Sequence, residues 1–194
     1  MKIKVGINGM GRIGRMIVRA IIENNNQNIE IKHINNRTNS EACSALLKYD
    51  SIHGKFSAEI GFGKDHLIIN KKKISFGQET DLSNINWKKF DVDYVFECTG
   101  KFNSKDKLLP HLENGAKKVI VSAPCKDADK TIVFGVNETE LKKNDNIISA
   151  ASCTTNCLAP VANVLNENFQ IEKGFMTTIH AFTSDQRILD NSHK

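Results

Sequence analysis

The sequence predicts an α/β domain built as a doubly wound, mostly parallel sheet. Short β-rich apolar runs alternate with stretches of helical period along most of the chain. Strands separated by helices pair in parallel through right-handed crossovers. A glycine turn, Gly9-Met10-Gly11-Arg12-Ile13-Gly14, closes the first run and opens the first helical pattern, which places it inside a βαβ unit. No internal repeat, low-complexity tract or Pro/Gly/Ser-rich linker interrupts this order, so residues 1–151 read as one domain.

Residues 2–8 form the first strand, ended by glycines. From Gly11 the period changes: Ile13, Ile17, Ala20 and Ile21 share one helical face, and Arg12, Arg15 and Arg19 another. Residues 29–35 are the next strand. Ser40 is placed to cap a helix whose apolar stripe is Ala42, Ala45, Leu46 and Tyr49. Residues 55–80 differ: glycine-punctuated runs such as Leu67-Ile68-Ile69 and Ile74-Ser75-Phe76 are expected as antiparallel excursions inserted into the domain. The alternation resumes with a strand at 92–98. A helix carrying Leu108, Leu109 and Leu112 then stops at Asn114-Gly115. Strands at 119–121, 131–136 and 147–151 complete the set.

Composition bounds the function. The 194 residues allow one domain, or one domain and the start of a second. With 40% hydrophobic and 25% charged residues, and 3 Pro against 12 Gly, the chain is globular in character, not disordered. The net charge of +5 comes from scattered lysines, which suits small anionic ligands and lacks the clustering of a nucleic-acid footprint. The one run, Lys71-Lys72-Lys73, reads as a solvated hairpin edge. Five cysteines are an odd number. The opening Met1-Lys2-Ile3-Lys4 has no signal-peptide core, and no apolar run nears the roughly 18 residues of a membrane span. A reducing cytoplasm with free thiols is the expectation.

The glycine turn has a specific physics. Gly9 makes the turn, Gly11 lets backbone approach a pyrophosphate, and Gly14 brings helix and strand together; the helix N-terminus offers free N–H groups to the anion. A NAD-preferring domain carries Asp or Glu about 20 residues further on, where this chain has Asn35-Asn36-Arg37. Asn36 can bond ribose hydroxyls without repelling a 2′-phosphate, and Arg37 can pair with one. NAD and NADP both remain open as cofactors.

Ser152-Cys153-Thr154-Thr155-Asn156-Cys157 lies where a strand gives way to a helix. With Ser152 as N-cap, Cys153 falls in the first turn, where the helix dipole favours a thiolate; a packed structural cysteine is the alternative. Cys157, four residues on, reads as a small buried side chain, and no second Cys/His pair has metal-ligand spacing. Cys43, Cys98 and Cys125 read as ordinary packed residues. Pro160 should bend the helix by removing the hydrogen bond to the Asn156 carbonyl. His180 ends a strand-like run at 175–179. Alone it would be structural or exposed, but beside a thiolate it becomes the partner of a Cys–His pair. His33, His53, His66, His111 and His193 default to packing or surface roles.

These blocks resemble glyceraldehyde-3-phosphate dehydrogenases. The likeness rests on Lys4 through Arg15, Leu46 through Phe56 and Glu97-Cys98-Thr99-Gly100-Lys101-Phe102, then on Ser152 through Pro160 and Thr177 through Gln186. They run in family order over the whole chain, and the cysteine block is the most specific. The resemblance implies Cys153 as nucleophile and His180 as its base. It implies Ser152, Thr154 and Thr183 as phosphate contacts. Arg12 and Ile13 would meet the cofactor through the glycine turn, and Thr99, Gly100 and Ser122 would line its nicotinamide-ribose side. Asn36 replaces the usual aspartate, and Thr80 stands where many members have arginine near the adenine.

The implied reaction converts glyceraldehyde 3-phosphate, inorganic phosphate and NAD(P) to 1,3-bisphosphoglycerate and NAD(P)H, in glycolysis or gluconeogenesis, through a Cys153 thiohemiacetal and thioester. The family's usual form is a cytoplasmic homotetramer, needing neither metal, membrane nor nucleic acid. Erythrose-4-phosphate dehydrogenase and a non-catalytic dinucleotide-binding module are the rival readings. By the same resemblance, 152–194 would begin an α+β catalytic domain whose remaining phosphate-binding arginines lie beyond Lys194. The chain would then be an N-terminal fragment, poorly active alone.

Overall fold

The strand–helix alternation folds, in a computed structural model that describes residues 2–183, into one nine-stranded sheet flanked by helices. In chain order the elements are β1 (Ile3–Asn8), α1 (Arg12–Glu23), β2 (Ile29–Asn35), α2 (Ser40–Lys48), β3 (Tyr49–Asp50), β4 (Gly54–Lys55), β5 (Ile60–Gly63), β6 (His66–Ile69) and β7 (Lys72–Gly77). There follow β8 (Tyr94–Glu97), α3 (Lys105–Glu113), β9 (Lys118–Val121), β10 (Lys130–Thr131), β11 (Ile147–Ser149) and α4 (Cys153–Phe169). The spatial order is β10-β11-β9-β8-β1-β2-β7-β6-β5, with β3 and β4 as a separate hairpin. Pairing is parallel from β10 through to β7, and β7, β6 and β5 are antiparallel. From β1 the chain winds outward first through β2 and later through β8, so the strand order reverses beside β1, where ligands bind in such sheets.

Both faces of β1 are covered. Val5 and Ile7 are buried with Val18 of α1, Leu47 of α2 and Phe56. On the other face a Cβ on Gly6 would lie 2.4 Å from the ring of Trp87, which is fully buried with Val92 and Val95. Leu108, Val119, Val121 and Ile147 form a third cluster.

Several expectations are corrected. α1 buries Gly14, Val18, Arg19 and Ile21, whereas Ile13 is 49% exposed. Arg19 belongs inside because its guanidinium donates to the Leu47, Lys48 and Gly54 carbonyls and lies over the Phe56 ring. It thereby satisfies carbonyls that the end of α2 leaves without helical partners. The cap of α2 is Asn39, whose side chain accepts from Ala42 N at 2.9 Å; Ser40 is buried and donates to the Gly63 carbonyl. The buried stripe is therefore Ser40, Cys43, Ser44 and Leu47, and Leu46 and Tyr49 are exposed. Small side chains on that face let α2 lie close to the β5–β7 hairpins.

The excursion at 55–80 is antiparallel as expected, but β7 returns parallel to β2 and extends the main sheet. Asn70 and Lys71, both with positive φ, form the β6–β7 turn. All three lysines are exposed, Lys71 in that turn and Lys72 and Lys73 at the start of β7, which is an interior strand and not an edge. The strand expected over 131–136 ends at Thr131; a turn follows, with Gly135 at φ +80° and Phe134 85% exposed. The run 175–179 forms no strand, since no neighbouring strand among the described residues pairs with it. Helix α4 runs unbroken through Pro160 and buries none of its residues, so Cys157 is exposed, not buried. Cys43 and Cys98 are buried, and Cys125 is partly so. Ser184, Asp185, Gln186 and His193 lie outside the described residues.

Candidate active site

The end of β1 delivers Asn8 and Gly9 to the strand-order reversal. Gly9 has φ +96°, a conformation that glycine adopts without penalty. A Cβ there would meet Thr99 N at 2.8 Å. Gly14 faces the same turn from α1: its added Cβ would sit 2.0 Å from the Gly9 carbonyl oxygen. Gly11 differs, with no atom within 4 Å of the place its Cβ would take. It occupies the N-cap of α1, and no side chain caps the first-turn N–H groups. Gly9 thus turns the chain, Gly14 packs closely against it, and Gly11 leaves open space at the start of α1.

A cleft of about 300 Å³ opens over this turn, lined by Asn8, Gly9, Gly11, Asn35, Asn36, Arg37, Glu79, Thr80, Leu82, Cys98, Thr99, Lys101 and Phe102. An open glycine, uncapped helix N–H groups and a neighbouring crevice fit a dinucleotide diphosphate. Of the residues expected to hold a cofactor, Gly9, Gly11, Asn36 and Thr99 line the cleft, and Arg12, Ile13, Gly14, Gly100 and Ser122 do not. The Arg12 side chain turns instead to Asp50, 3.0 Å away. Ser122 lies at the end of β9, its N–H bonded to the Glu97 carbonyl, and Gly100 turns the chain at φ +70°.

Asn36 accepts from Met10 N at 3.0 Å and donates to Thr38 Oγ1 and Cys43 Sγ. It braces the glycine turn while bordering the cleft. Arg37 is exposed on the cleft wall. Asp50 accepts from the His53 and Ile52 N–H groups and from Arg12, which together hold its carboxyl far below the usual carboxylate range.

Sequence reasoning missed the polar floor of this cleft. Glu97, 1% exposed, accepts from Asn8 Nδ2 at 2.6 Å, from Thr99 N at 2.8 Å and from Thr99 Oγ1. His111 Nε2 lies 3.1 Å from it, and Trp87 Nε1 donates to His111 Nδ1 at 2.9 Å. Asn35 joins Asn8 to the Glu79 backbone. The available signal was polar residues ending three apolar strands, at Asn8, Asn35 and Glu97.

Elsewhere in the sheet, β11 passes into α4 through Ala151, a non-glycine residue at φ +60°. Ser152 caps α4, its Oγ accepting from Thr155 N at 3.0 Å. Cys153 is therefore the first helical residue, and it is exposed. Asn156 donates to the Ala150 and Ser152 carbonyls, tying this first turn back to the strand end. Cys153 Sγ lies 3.3 Å from His180 Nε2. The bond from His180, and then that with Thr154, draws the thiol below its ordinary pKa. The Ala181 carbonyl, bonded to His180 Nδ1, and then the Cys153 thiol raise the imidazole. Each partner favours the charged form of the other, as in an ion-paired nucleophile and base. Thr154 is partly buried beside the thiol, and Thr183 is exposed. A depression of about 500 Å³ lined by Asn103, Lys126, Thr131, Ser152 and Thr155, among others, adjoins this turn. Among the described residues no group of three or more His, Cys, Asp or Glu could hold a metal, and no helix is long and apolar enough to cross a membrane.

Two family models match the chain. Residues 3–105 match the family model "Glyceraldehyde 3-phosphate dehydrogenase, NAD binding domain", and residues 152–194 match the C-terminal domain of the same family. The chain is 51% identical to glyceraldehyde-3-phosphate dehydrogenase 2 of Bacillus subtilis over 195 residues, covering 100% of this chain and 57% of that protein. It is 50% identical to the glyceraldehyde-3-phosphate dehydrogenase of Geobacillus stearothermophilus, covering 100% and 58%. For that of Thermotoga maritima the identity is 48%, covering 98% and 57%. The chain thus spans less than two thirds of the length of these relatives.

Proposed function

The chain belongs to the glyceraldehyde-3-phosphate dehydrogenase family, and on that premise we propose that the protein oxidises glyceraldehyde 3-phosphate, with inorganic phosphate and a nicotinamide dinucleotide, through Cys153. The observation that carries this reading is the 3.3 Å approach of Cys153 Sγ to His180 Nε2 at a helix N-terminus. The Cys153 thiolate attacks the aldehyde carbon, forming a C–S bond, and the alkoxide takes a proton to give a thiohemiacetal. His180 then accepts the hydroxyl proton as the carbon loses hydride and becomes a thioester. A bound nicotinamide supplies the hydride acceptor. Phosphate attacks the thioester carbonyl, the acyl phosphate leaves, and Cys153 returns as a thiolate. Proton transfer of this kind contributes roughly 10² to 10⁴ in rate.

Ser152, Thr154 and Thr183 contact the phosphate groups of substrate and attacking anion. Gly9, Gly11 and Gly14 shape the diphosphate site, which the backbone of Arg12 and Ile13 completes at the start of α1. Asn36 borders the adenosine ribose, and Thr99, Gly100 and Ser122 lie toward the nicotinamide ribose. NAD is the first-choice cofactor from the description of the matched domain. Asn36-Arg37 carries no carboxylate that would repel the extra phosphate of NADP, so NADP is the alternative, and comparing the two cofactors decides between them. Residues 1–151 form the dinucleotide-binding domain, and 152–194 open the catalytic one. The full protein works as a cytoplasmic homotetramer in glycolysis or gluconeogenesis.

The test is to mix the full-length protein with glyceraldehyde 3-phosphate and NAD, and follow reduced nicotinamide together with intact mass. An acyl adduct on Cys153 that phosphate discharges is expected, with none in Cys153→Ser. A folded protein that binds NAD yet leaves the thiol free after incubation would sink the proposal. Faster acylation by erythrose 4-phosphate would move the substrate to the four-carbon sugar.

A further inference from the structure

The buried floor of the cleft is larger than a turn needs. Glu97 Oε1 receives Thr99 N and Thr99 Oγ1, and Oε2 receives Asn8 Nδ2 and His111 Nε2. Trp87 Nε1 can only donate, so His111 Nδ1 accepts and the ring proton sits on Nε2, aimed at Glu97. All four partners are then donors, which is the complement an ionised carboxylate requires and a carboxamide cannot accept. Glu97 and His111 are 1% and 0% exposed, and Trp87 0%. At the near end, the Thr99 hydroxyl also accepts from Lys101 N, and Thr99 lines the cleft against Gly9.

We propose that Glu97 is a positioning residue for the dinucleotide, holding the Thr99–Lys101 turn against the glycine turn, with His111 and Trp87 as the buried far end of the same relay. The assignment rests on the dinucleotide reading of the cleft and deepens it. Glu97 does not touch the cofactor; it acts through Thr99. Asn8 and Asn35 extend its reach to the ends of β1 and β2, so one carboxylate fixes both walls of the cleft.

The chain contains a single tryptophan, so Trp87 gives one indole N–H resonance that reports on the relay. NAD is titrated into the wild-type chain, Glu97→Gln, Thr99→Val and the double variant, reading affinity by calorimetry and the indole resonance by NMR. NAD shifts the wild-type resonance. Glu97→Gln lowers affinity on the order of 10- to 100-fold, as expected for hydrogen bonds to a charged group, and uncouples the resonance from residual binding. Thr99→Val weakens binding, and the double variant loses little more than Glu97→Gln alone.

Unchanged affinity in folded Glu97→Gln, or losses that simply add, would overturn the proposal. If Glu97→Gln fails to fold, Thr99→Val decides: wild-type affinity with an undisturbed indole shift overturns it. Failure of the wild-type chain to bind NAD or NADP removes the dinucleotide reading itself, a different outcome from binding that ignores Glu97.

Discussion

Replacing Gly14 by alanine sets two physical effects against each other. Alanine is the better helix former by about 0.8–1.0 kcal/mol, and Gly14 sits in the first turn of α1. Its new Cβ would lie 2.0 Å from the Gly9 carbonyl oxygen, whereas even close carbon–oxygen contacts are about 3.3 Å. The helix must therefore retreat from the turn by roughly 1.3 Å, the difference between those separations. Overpacking costs about 1–3 kcal/mol, and the upper value applies where the struck atom is backbone. The net loss is about 2 kcal/mol, or roughly 4–8 °C in Tm for a chain of this size. Gly11→Ala is the control. Its Cβ meets nothing within 4 Å, and losing the N-cap glycine costs less than about 1 kcal/mol. On the proposed dinucleotide reading the methyl fills the approach to the diphosphate, so NAD affinity should fall at least about tenfold. Denaturant melts and NAD calorimetry separate the two. A Gly14→Ala chain as stable as wild type would refute the close-packing argument.

Further consequences can be checked on the same protein. Alkylation of Cys153 across pH should show an apparent pKa below the ordinary thiol value, and His180→Asn should raise it and slow labelling near pH 7. Cys98, pushed up to about 12 by burial, should stay unlabelled while the fold is intact. Burial, aided by Lys89, pushes His33 down to about 4 from 6.5. The unfolded chain therefore binds a proton that the folded one refuses between those values, and stability should fall from pH 6.5 to pH 4 by up to about 3 kcal/mol. Below pH 4 this contribution levels off, and His33→Phe, which keeps the stack on Phe90, should flatten the slope in acid-to-neutral melts. Arg19→Met removes the guanidinium from the Leu47 and Gly54 carbonyls, while the Lys48 carbonyl keeps the Phe56 N–H. A loss of about 3 kcal/mol by denaturant titration is expected, and a change under 1 kcal/mol would show that water replaces the guanidinium.

The fold class was legible because strand–helix alternation and the glycine turn are local patterns. The glycines had distinct roles in the sequence, and their surroundings match those roles. Face assignments were less legible. Arg19 looked like a solvent residue because an arginine's ordinary partner is water, and only the carbonyls at the end of α2 give it a buried one. Leu46 and Tyr49 were assigned inward from hydrophobicity, yet α2 turns its smaller residues to the sheet. Cys157 was expected inside from its helical spacing, and α4 buries nothing.

By itself, the sequence determined the doubly wound sheet, the glycine turn and the placement of Cys153 after a capping Ser152, because each depends on short-range geometry and on neighbours in the chain. Tertiary structure decided what long-range contact alone can decide. It set Cys153 and His180 3.3 Å apart, although 27 positions separate them, and gathered Asn8, Thr99, His111 and Trp87 around one buried carboxylate. A carboxylate can stay charged out of water only when donors surround it. Those donors come from strand ends and a helix that no local pattern links.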